Sequence, residues 1–335
     1  MRALVCTAFG EQGSGEHGSY SPPSLAVKDV ETPVPQAGEV LVRVQAASAN
    51  FPDVLMLDNL YQHRPGLPFI PGYEFAGVVE QTGPGVTGIE PGDAGVAVTR
   101  MGGFAEFALV AADRFWKIPA DMDMRYAAAF PLAYGTSYYA LKDRAQLAKG
   151  ETLLVLGAAG GVGIAGVQLG KMMGATVIAC ASSDDKLHLC TECGADYVVN
   201  YEKTELRGAI KAIVGERGVD VVLDPVGGKF TEAAFRSLGW NGRHLVVGFT
   251  AGEIPRLPLN LPLLKGASAV GVSWDTYSRK FPEGGARNIR ELAQAIADGR
   301  LVPVIASEYP LEKAQEALED IRARRVMGKA VVVCR

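Results

Sequence analysis

The segment spanning residues 151–180 constrains the fold of this chain more than any other. It reads ETLLVLGAAGGVGIAGVQLGKMMGATVIAC, which is an apolar run, a glycine-rich turn, a helical pattern and a second apolar run. This order predicts a buried strand, a helix beginning near Val162 and a neighbouring parallel strand. Six apolar runs separated by helical patterns predict a parallel, doubly wound sheet with right-handed crossovers. These runs are Leu153–Leu156, Thr176–Ala179, Tyr197–Val199, Val219–Leu223, His244–Val247 and Ala269–Val272.

The glycine turn in this segment predicts a dinucleotide site. In such a strand, turn and helix the glycines let the backbone approach a pyrophosphate, and the helix N-terminus attracts its charge. Ala158 stands where the strict G-x-G-x-x-G pattern has its first glycine. It is therefore the surrounding strands and helix that favour cofactor binding over a purely structural turn. The candidate contacts are Ala159, Gly160, Gly161, Val162 and Gly163.

The end of the second strand predicts which dinucleotide is bound. NAD enzymes usually place a carboxylate there for the ribose 2′-hydroxyl. This strand instead runs into Ser182 and Ser183, with Lys186 following. Small hydroxyls and a lysine suit a 2′-phosphate, so we expect NADPH. Asp184 and Asp185 come slightly later and are interpreted as caps of the next helix.

Two later loops are further candidates for the cofactor site. They follow the fourth and fifth predicted strands, at the carboxyl ends where open α/β sheets bind ligands. We expect them to flank the cofactor through Asp224, Gly248, Phe249 and Thr250.

The first third of the chain has a different texture. Short β-rich runs alternate with proline and glycine, which predicts an irregular, mostly β unit. Near the C-terminus, Asn288–Ala297 and Leu311–Ile321 read as helices, and VMGKAVVV reads as a final strand. A length of 335 residues favours two domains over one.

Composition and charge argue against several classes of protein. A net charge of -4 offers no basic surface for nucleic acid. No apolar run approaches the roughly 20 residues that span a bilayer, and the N-terminal residues lack the apolar core of a signal peptide. The five cysteines are few and odd in number, which fits reduced thiols. We therefore expect a cytoplasmic protein without nucleic-acid or membrane partners.

Six ordered motifs identify a family: SANFPD, PFIPGYEFAGVV, AAGGVG, VVLDPVGG, GFTAGEIP and GKAVVV. With them the chain resembles, along nearly its whole length, the zinc-free quinone oxidoreductase (zeta-crystallin-like) branch of the medium-chain dehydrogenase/reductase superfamily. The resemblance implies a GroES-like, mostly β catalytic domain at 1–125 and 275–335, and a Rossmann NADP(H)-binding domain at 126–274. The resemblance also implies that the active site lies in the cleft between these two domains. It also implies a homodimer, for which pairing of sheet edges near Ala267–Ser273 is a physically reasonable route.

The resemblance also assigns residues to the cofactor phosphate. It implies that Lys186, Tyr201 and Arg324 grip the 2′-phosphate. Arg324 is placed by counting back from Gly328, within the basic run RARR. A solvated helix end that complements the helix dipole is the alternative interpretation of this run.

Both zinc sites of related enzymes are missing from the sequence. Zinc-dependent relatives use an early cysteine, a GHE histidine and a later cysteine, and a catalytic zinc needs about three protein ligands. Here the segment reads Gly72-Tyr73-Glu74, and the first ligand position falls within Asn50-Phe51-Pro52-Asp53. Cys190 and Cys193 form a C-x-x-C pair on a predicted helix with no second pair nearby, so packing is favoured over metal binding. We predict no metal.

Without a metal, the substrate must accept hydride readily by itself, as a quinone does because its reduction gives an aromatic hydroquinone. Resemblance and polarity nominate Asn50, Asp53, Tyr61 and Thr136 around the nicotinamide and substrate. Asn50 could bond a cofactor or substrate oxygen, and Tyr61 could donate to a developing oxyanion. Alternatively, Asn50 and Asp53 only organise a turn, Tyr61 is a lid residue and Thr136 bonds within its helix.

The leading hypothesis is an NADPH-dependent quinone oxidoreductase with a small electrophilic substrate. A second hypothesis is an alkenal, enone or enoyl-thioester reductase in the same fold. The segments Asn59–Pro68 and Ser273–Gly285 are the substrate loops that would decide between them. A third hypothesis is a non-enzymatic protein that binds NADPH in a structural or sensing role.

Overall fold

The computed structural model describes residues 1–12 and 20–334. These residues form two compact units. The first unit takes in residues 1–132, 289–297 and, from 302 onward, the rest of the described chain. The second unit takes in residues 133–288 and 298–301.

The strands, in chain order, are β1 (Arg2–Ala8), β2 (Glu11–Gln12), β3 (Tyr20–Ser21), β4 (Ser24–Asp29), β5 (Glu39–Ala49), β6 (Glu74–Thr82), β7 (Ala94–Val98), β8 (Phe107–Ala111), β9 (Phe115–Lys117), β10 (Thr152–Leu156), β11 (Thr176–Ala181), β12 (Tyr197–Asn200), β13 (Val219–Asp224), β14 (Leu238–Val246), β15 (Ser268–Gly271), β16 (Ile305–Pro310) and β17 (Lys329–Val333).

The helices are α1 (Phe51–Leu57), α2 (Met124–Ala129), α3 (Ala133–Tyr138), α4 (Gly161–Met172), α5 (Asp184–Glu192), α6 (Leu206–Val214), α7 (Phe230–Arg236), α8 (Asn260–Lys265), α9 (Trp274–Lys280), α10 (Pro282–Ala297) and α11 (Ala314–Arg322). A π-helical turn at Tyr139–Arg144 continues α3, and short 3₁₀ turns lie at Ala112–Arg114, Gly215–Arg217 and Leu311–Lys313. Within residues 1–12 and 20–334, no helix has the length and apolar character needed to cross a membrane.

A mixed sheet organises the first unit. Its strand order is β16-β17-β5-β6-β7-β9, and β8 also pairs with β5. Val40, Val42 and Val44 alternate along β5 and are buried in a core that includes Leu318 of α11. This period of two is what the pleat of a strand requires for one face to be buried. Strand β17 pairs antiparallel with β5, which brings the start of β17 beside the start of α1.

A six-stranded parallel sheet forms the centre of the second unit. Its order is β12-β11-β10-β13-β14-β15, so the predicted doubly wound sheet is confirmed. Strand β10 is buried along its whole length, as expected when both faces are covered. The chain passes from β10 to β11 on one side and reaches β13 on the other. The turn after β10 therefore lies where the strand order reverses, which is the usual ligand site in such sheets.

The boundaries between the two compact units differ from the predicted domain boundaries at 125/126 and 274/275. Residues 126–132 lie with the first unit because α2 packs against β5 and β6. Residues 275–288 lie with the second unit because α9 packs against α3, and Tyr277 stacks on Tyr139 with ring centroids 4.3 Å apart. Packing of these two short helices therefore shifts both limits toward higher residue numbers.

Candidate functional site

The turn after β10 leads directly into the N-terminus of α4. Gly160 is the N-cap, and the first N–H that reaches an intrahelical carbonyl is that of Ile164, which donates to Gly160 O at 2.8 Å. The N–H groups of residues 161–163 are therefore not used by the helix. A Cβ on Gly163 would lie 2.2 Å from the carbonyl oxygen of Gly157, whereas one on Gly160 would meet nothing closer than 3.5 Å. Gly163 serves close packing, and Gly160 leaves open space at a helix end that suits an anionic group.

The predicted phosphate residues after β11 lie together. Ser183 is the N-cap of α5 and accepts a hydrogen bond from the backbone N–H of Lys186 at 3.4 Å. Lys186 Nζ donates to Ser182 Oγ at 3.2 Å. An ammonium and two hydroxyls therefore stand at the carboxyl end of β11, with no carboxylate on the strand itself.

Sequence reasoning missed three residues at this edge, Asn200, Glu202 and Lys203. Ser182, Ser183, Asp185 and Glu202 line a surface depression together with Asp184, Asn200 and Lys203. Asp184 accepts hydrogen bonds from Asn200 Nδ2 at 2.8 Å and from Lys203 Nζ at 2.5 Å. The Lys203 and Asn200 bonds hold the pKa of the Asp184 carboxyl below its ordinary value. The available signal was that β12 ends in Asn200 beside the end of β11, with Lys203 three residues on.

Tyr201 directly follows β12, next to Asn200. Its ring packs on Phe230 of α7, with centroids 4.4 Å apart. The residue is half-buried against the core of the second unit. The ring is thus held in place by an aromatic neighbour, and its predicted contact with phosphate stays a prediction.

The basic run at the end of α11 lies in the first unit. Arg322 binds Asp58 through both terminal nitrogens, one of them at 2.9 Å. Arg325 binds Asp320 through Nε at 2.8 Å and through a second nitrogen. Arg324 lies between them in the left-handed region, with φ of 56°. Arg322 and Arg325 each bind a carboxylate of the protein. The phosphate role of Arg324 stays a prediction.

Asp224 ends β13 with its side chain turned into the protein. Its Oδ1 accepts the N–H groups of Val226 at 2.9 Å and Gly227 at 2.8 Å. Its Oδ2 accepts the Thr231 hydroxyl at 2.8 Å and lies 3.0 Å from His244 Nε2. With these four bonds the carboxylate is occupied by the protein, so Asp224 orders its loop and has little capacity left for a ligand.

The loop after β14 is tied to the loop after β13. Gly248 N–H donates to Asp224 O at 3.4 Å, and the Thr250 hydroxyl donates to Pro225 O at 3.1 Å. Phe249 lies against Gly227, where a Cβ would be 2.8 Å from its ring. The predicted residues Gly248, Phe249 and Thr250 therefore form one ordered pair of loops with residues 224–228 at the carboxyl edge of the sheet.

In the first unit, Asn50 and Asp53 belong to the start of a helix rather than to an isolated turn. Asn50 is the N-cap of α1, and its N–H donates to Asp53 Oδ2 at 2.9 Å, as in half of a capping box. Gly72 N–H donates to Asp53 Oδ1 at 3.2 Å. Burial raises the pKa of Asp53 to about 7, against the lowering effect of these two N–H donors.

A buried lysine completes this cluster, and sequence reasoning missed it. Lys329 Nζ donates to Asn50 Oδ1 at 2.5 Å and to Glu74 Oε1 at 3.0 Å. Asn50 Nδ2 donates to Glu74 Oε1 at 2.9 Å and to Ser48 O at 2.9 Å. The Asn50 amide is therefore bound inside the protein through both of its ends. The one available signal was a lysine that begins an apolar terminal strand, GKAVVV, where an isolated charge would be costly.

The other two nominated residues, Tyr61 and Thr136, have contacts of their own. The Tyr61 hydroxyl lies 3.5 Å from that of Tyr73, and the two rings meet edge to face. Thr136 is buried on α3, where its neighbour Ser137 donates to Val162 O at 2.7 Å and so ties α3 to the first turn of α4. Thr136 therefore lies on a helix that is hydrogen-bonded to the first turn of α4.

The donor set around Asn50 and Glu74 does not suit a zinc ion. Zinc prefers sulfur and imidazole ligands, and here the amide and carboxylate already hold an ammonium, whose charge would repel a cation. In the described part of the chain, no group of three or more His, Cys, Asp and Glu could hold a metal. Cys190 is buried on α5 and Cys193 follows as its C-cap; burial raises the pKa of the Cys190 thiol to about 12, which disfavours the thiolate a metal needs.

Known proteins resemble this chain along nearly its full length. The alcohol dehydrogenase GroES-like domain model matches residues 36–120, and the zinc-binding dehydrogenase model matches residues 161–291. Quinone oxidoreductase-like protein 2 of Bos taurus is 39% identical over 310 residues, covering 92% of this chain and 88% of that protein. Quinone oxidoreductase of Rattus norvegicus is 35% identical over 308 residues, covering 91% and 92%.

Among solved structures, Escherichia coli quinone oxidoreductase complexed with NADPH superposes with a TM-score of 0.89 at 28% identity, covering the whole of both chains. The predicted pairing of a GroES-like domain with a Rossmann domain is confirmed by these matches. The chain belongs to the quinone oxidoreductase branch of the medium-chain dehydrogenase/reductase superfamily.

Proposed function

We propose that this protein is an NADPH-dependent oxidoreductase that transfers hydride to a quinone without help from a metal ion. One arrangement carries the proposal. At adjacent strand ends in the second unit, the first three N–H groups of α4 have no acceptor within the helix, and Ser182, Ser183 and Lys186 follow β11. The first group suits a pyrophosphate and the second a 2′-phosphate. The relatives named quinone oxidoreductase, and the E. coli structure that contains NADPH, support the same cofactor and reaction.

The chain's own residues have separate roles in this proposal. NADPH supplies the hydride when bound. The N-terminus of α4, with Ala159 and Gly160 before it, binds the pyrophosphate, and the loops carrying Asp224 and Gly248–Thr250 flank the cofactor. Tyr201 and Arg324 add to the grip of Lys186 on the 2′-phosphate. Thr136 lines the nicotinamide side of the site, held there by the bond from Ser137 to α4.

On the substrate side, Tyr61 is the proposed neutral donor to the oxygen that gains charge when a quinone accepts hydride. Tyr73 orients its ring through the edge-to-face contact. Asn50 and Asp53 act by holding the start of α1, since their polar atoms are bound within the protein. Metal-free transfer is supported by Lys329, whose ammonium already neutralises Glu74.

The proposal is tested by following NADPH oxidation on addition, in turn, of an ortho-quinone, a para-quinone, a 2-alkenal and an enoyl thioester. We expect fast turnover with a quinone and little with the other two classes. A preference for the alkenal or thioester would instead assign double-bond reduction. Tight NADPH binding without turnover of any acceptor would assign a non-enzymatic role. Pre-treatment with a metal chelator should leave the quinone rate unchanged.

We also propose that the protein is a homodimer. Strand β15 is an edge of the parallel sheet and its residues are mostly exposed. In the segment before it, Leu259, Leu263 and Leu264 are 83%, 78% and 70% exposed. An open apolar edge is an aggregation hazard unless it is covered, and a second copy pairing through the same edge would cover it.

Light scattering at micromolar concentration tests the dimer. We expect twice the chain mass for the wild type and a monomer for Leu263→Lys/Leu264→Glu. The exposed Val302→Lys, on the other unit, is the control and should remain dimeric. A wild-type monomer would reject the proposal.

A cytoplasmic location is proposed on the state of the thiols. All five cysteines are unpaired, and four of them are buried. Unpaired thiols are typical of reducing compartments. Fractionation of the source cells should recover the protein with cytoplasmic markers, and recovery in a secreted fraction would contradict the assignment.

A further inference from the structure

A buried histidine lies behind the cofactor loops of the second unit. His244, on β14, is 1% exposed, and its Nε2 lies 3.0 Å from Oδ2 of Asp224 at the end of β13. The other ring nitrogen, Nδ1, is buried without a hydrogen-bonding partner in the described part of the chain. A buried nitrogen without a partner costs free energy. We therefore ask what the hydrogen bond at Nε2 contributes to the fold.

Only one ring nitrogen has a polar partner. Nδ1 is buried without one in the described part of the chain, so Nε2 is the nitrogen that donates a hydrogen bond. Asp224 is the acceptor. Burial alone would raise the pKa of Asp224, but the hydrogen bond and the electrostatic interaction with His244, together with the Gly227 N–H and the Thr231 hydroxyl, bring it below its ordinary value. The carboxylate is therefore ionised and depends on its donors.

The same carboxylate holds the turn that follows β13. Its other oxygen accepts the N–H groups of Val226 and Gly227, and Gly227 has φ of 71°, in the left-handed region. Thr250 of the next loop donates to Pro225 O through both its N–H and its hydroxyl. If the carboxylate rotated, both turn N–H groups would lose their acceptor, and the second loop would lose its fixed partner.

We infer that His244 is a positioning residue, whose Nε2–H fixes the Asp224 carboxylate and through it the turn of residues 225–228 beside the bound cofactor. Its effect on cofactor affinity rests on the proposed function, whereas its ordering of the turn does not. Hydrogen bonds to charged groups are the strong ones, and losing one changes an equilibrium constant about tenfold or more. His244 acts through Asp224, so its loss weakens NADPH binding and leaves the rate at saturating NADPH unchanged.

The test compares three variants that have first been shown to be folded by circular dichroism. His244→Leu removes the donor. His244→Gln restores an N–H at the place of Nε2. Phe235→Leu is the matched control, because Phe235 packs against the His244 ring with centroids 5.7 Å apart but takes no part in the hydrogen bonds. If His244→Leu does not fold, Thr231→Val, which removes another donor to the same oxygen, replaces it.

Two readouts separate this inference from the proposed function. The first is amide hydrogen exchange of residues 226–228 in the protein without cofactor, and the second is the Kd for NADPH. We expect exchange to rise about tenfold in His244→Leu, to stay near the wild-type rate in Phe235→Leu, and to return toward it in His244→Gln. NADPH Kd should follow the same order, with kcat at saturating NADPH unchanged.

Unchanged exchange in His244→Leu would overturn the inference, as would an equal rise in Phe235→Leu or no rescue by glutamine. A wild-type protein that does not bind NADPH, with exchange still raised in His244→Leu, would refute the proposed function and leave the ordering of the turn established.

Discussion

Lys329 Nζ lies 3.0 Å from Glu74 Oε1, and the two side chains are 2% and 0% exposed. The pair joins the start of the last strand to the start of β6 in the core of the first unit. Removing one partner leaves the other as an uncompensated buried charge, which is far costlier than removing both. We therefore predict that Lys329→Met lowers the free energy of unfolding by about 3–5 kcal/mol, measured by urea denaturation.

The double variant Lys329→Met/Glu74→Gln is the control for this prediction. It should be more stable than Lys329→Met alone, because glutamine can still accept the Leu132 N–H that Glu74 Oε2 now accepts at 2.6 Å. Additive losses in the two single variants would contradict a direct charge pairing.

Asp53 gives the stability of the first unit a pH dependence of known sign. Its pKa is raised from 3.8 to about 7 by burial. A carboxyl with a raised pKa binds its proton more tightly in the folded state. Its stabilising contribution is therefore complete below the unfolded pKa and is lost as pH rises from about 4 to about 7. We predict that wild type loses stability relative to Asp53→Asn across this window, as measured by denaturation at pH 5 and pH 8.

Asp93 provides a control of opposite sign. The Lys117 ammonium holds the pKa of Asp93 below its ordinary value, so this carboxylate stabilises above its unfolded pKa. The stability of Asp93→Asn relative to wild type should fall as pH rises through the acid range. A pH profile of Asp53→Asn that parallels the wild type would show that Asp53 does not titrate in this window.

Gly160, at the end of the turn after β10, and Gly163, in the first turn of α4, should respond differently to alanine. In Gly163→Ala the new Cβ would lie 2.2 Å from Gly157 O, which is backbone, so we expect a loss of about 1–3 kcal/mol in unfolding free energy. In Gly160→Ala the Cβ has room, so stability should fall by no more than about 1 kcal/mol while NADPH affinity falls at least tenfold. The measurements are thermal unfolding and NADPH titration. Unchanged NADPH binding in Gly160→Ala would place the pyrophosphate elsewhere.

The ion pair between Lys203 and Asp184 should affect NADPH more than NADH. Removing the ammonium in Lys203→Met leaves the Asp184 charge uncompensated beside Ser182 and Ser183. We predict that the Kd for NADPH rises about three- to tenfold, less at high salt, because the pair is exposed. NADH should change less than twofold.

Asp184→Asn should act in the opposite direction and tighten NADPH binding. Lys211→Met, which breaks another exposed ion pair of the same unit, with Glu216, is the matched control and should leave both cofactors unaffected. Equal losses for NADPH and NADH in Lys203→Met would show that the 2′-phosphate does not bind in the depression that Lys203 lines.

The sequence predicted what depends on local pattern and missed what depends on pairing between distant segments. Apolar periodicity located all six strands of the parallel sheet. The residues after β11 were predicted to bind a 2′-phosphate, which stays a prediction, and in the structure Lys186 Nζ lies 3.2 Å from Ser182 Oγ. The bond of Lys329 to Asn50 joins residues 279 positions apart, and β17 must first pair with β5 for it to form. Motif spacing carries no such information, so Asn50 was predicted as a possible ligand donor although its amide is bound inside the protein.

Asp224 shows the same limit within the second unit. Its position at a strand end suggested the edge where open α/β sheets bind ligands, but its four hydrogen-bond donors come partly from Thr231 and from His244 on the next strand. Whether a carboxylate at such an edge faces a ligand or its own loop is decided by those neighbours, which only the folded chain brings together.

Quinone reduction is tested most simply by the initial rate of NADPH oxidation by the purified protein with a small para-quinone, with NADH run in parallel. We expect rapid oxidation of NADPH, one hydroquinone formed for each NADPH consumed, and a much higher kcat/KM for NADPH than for NADH. Equal use of the two cofactors would contradict the phosphate site at Ser182, Ser183 and Lys186. Absence of quinone-dependent oxidation would contradict the proposed reaction itself.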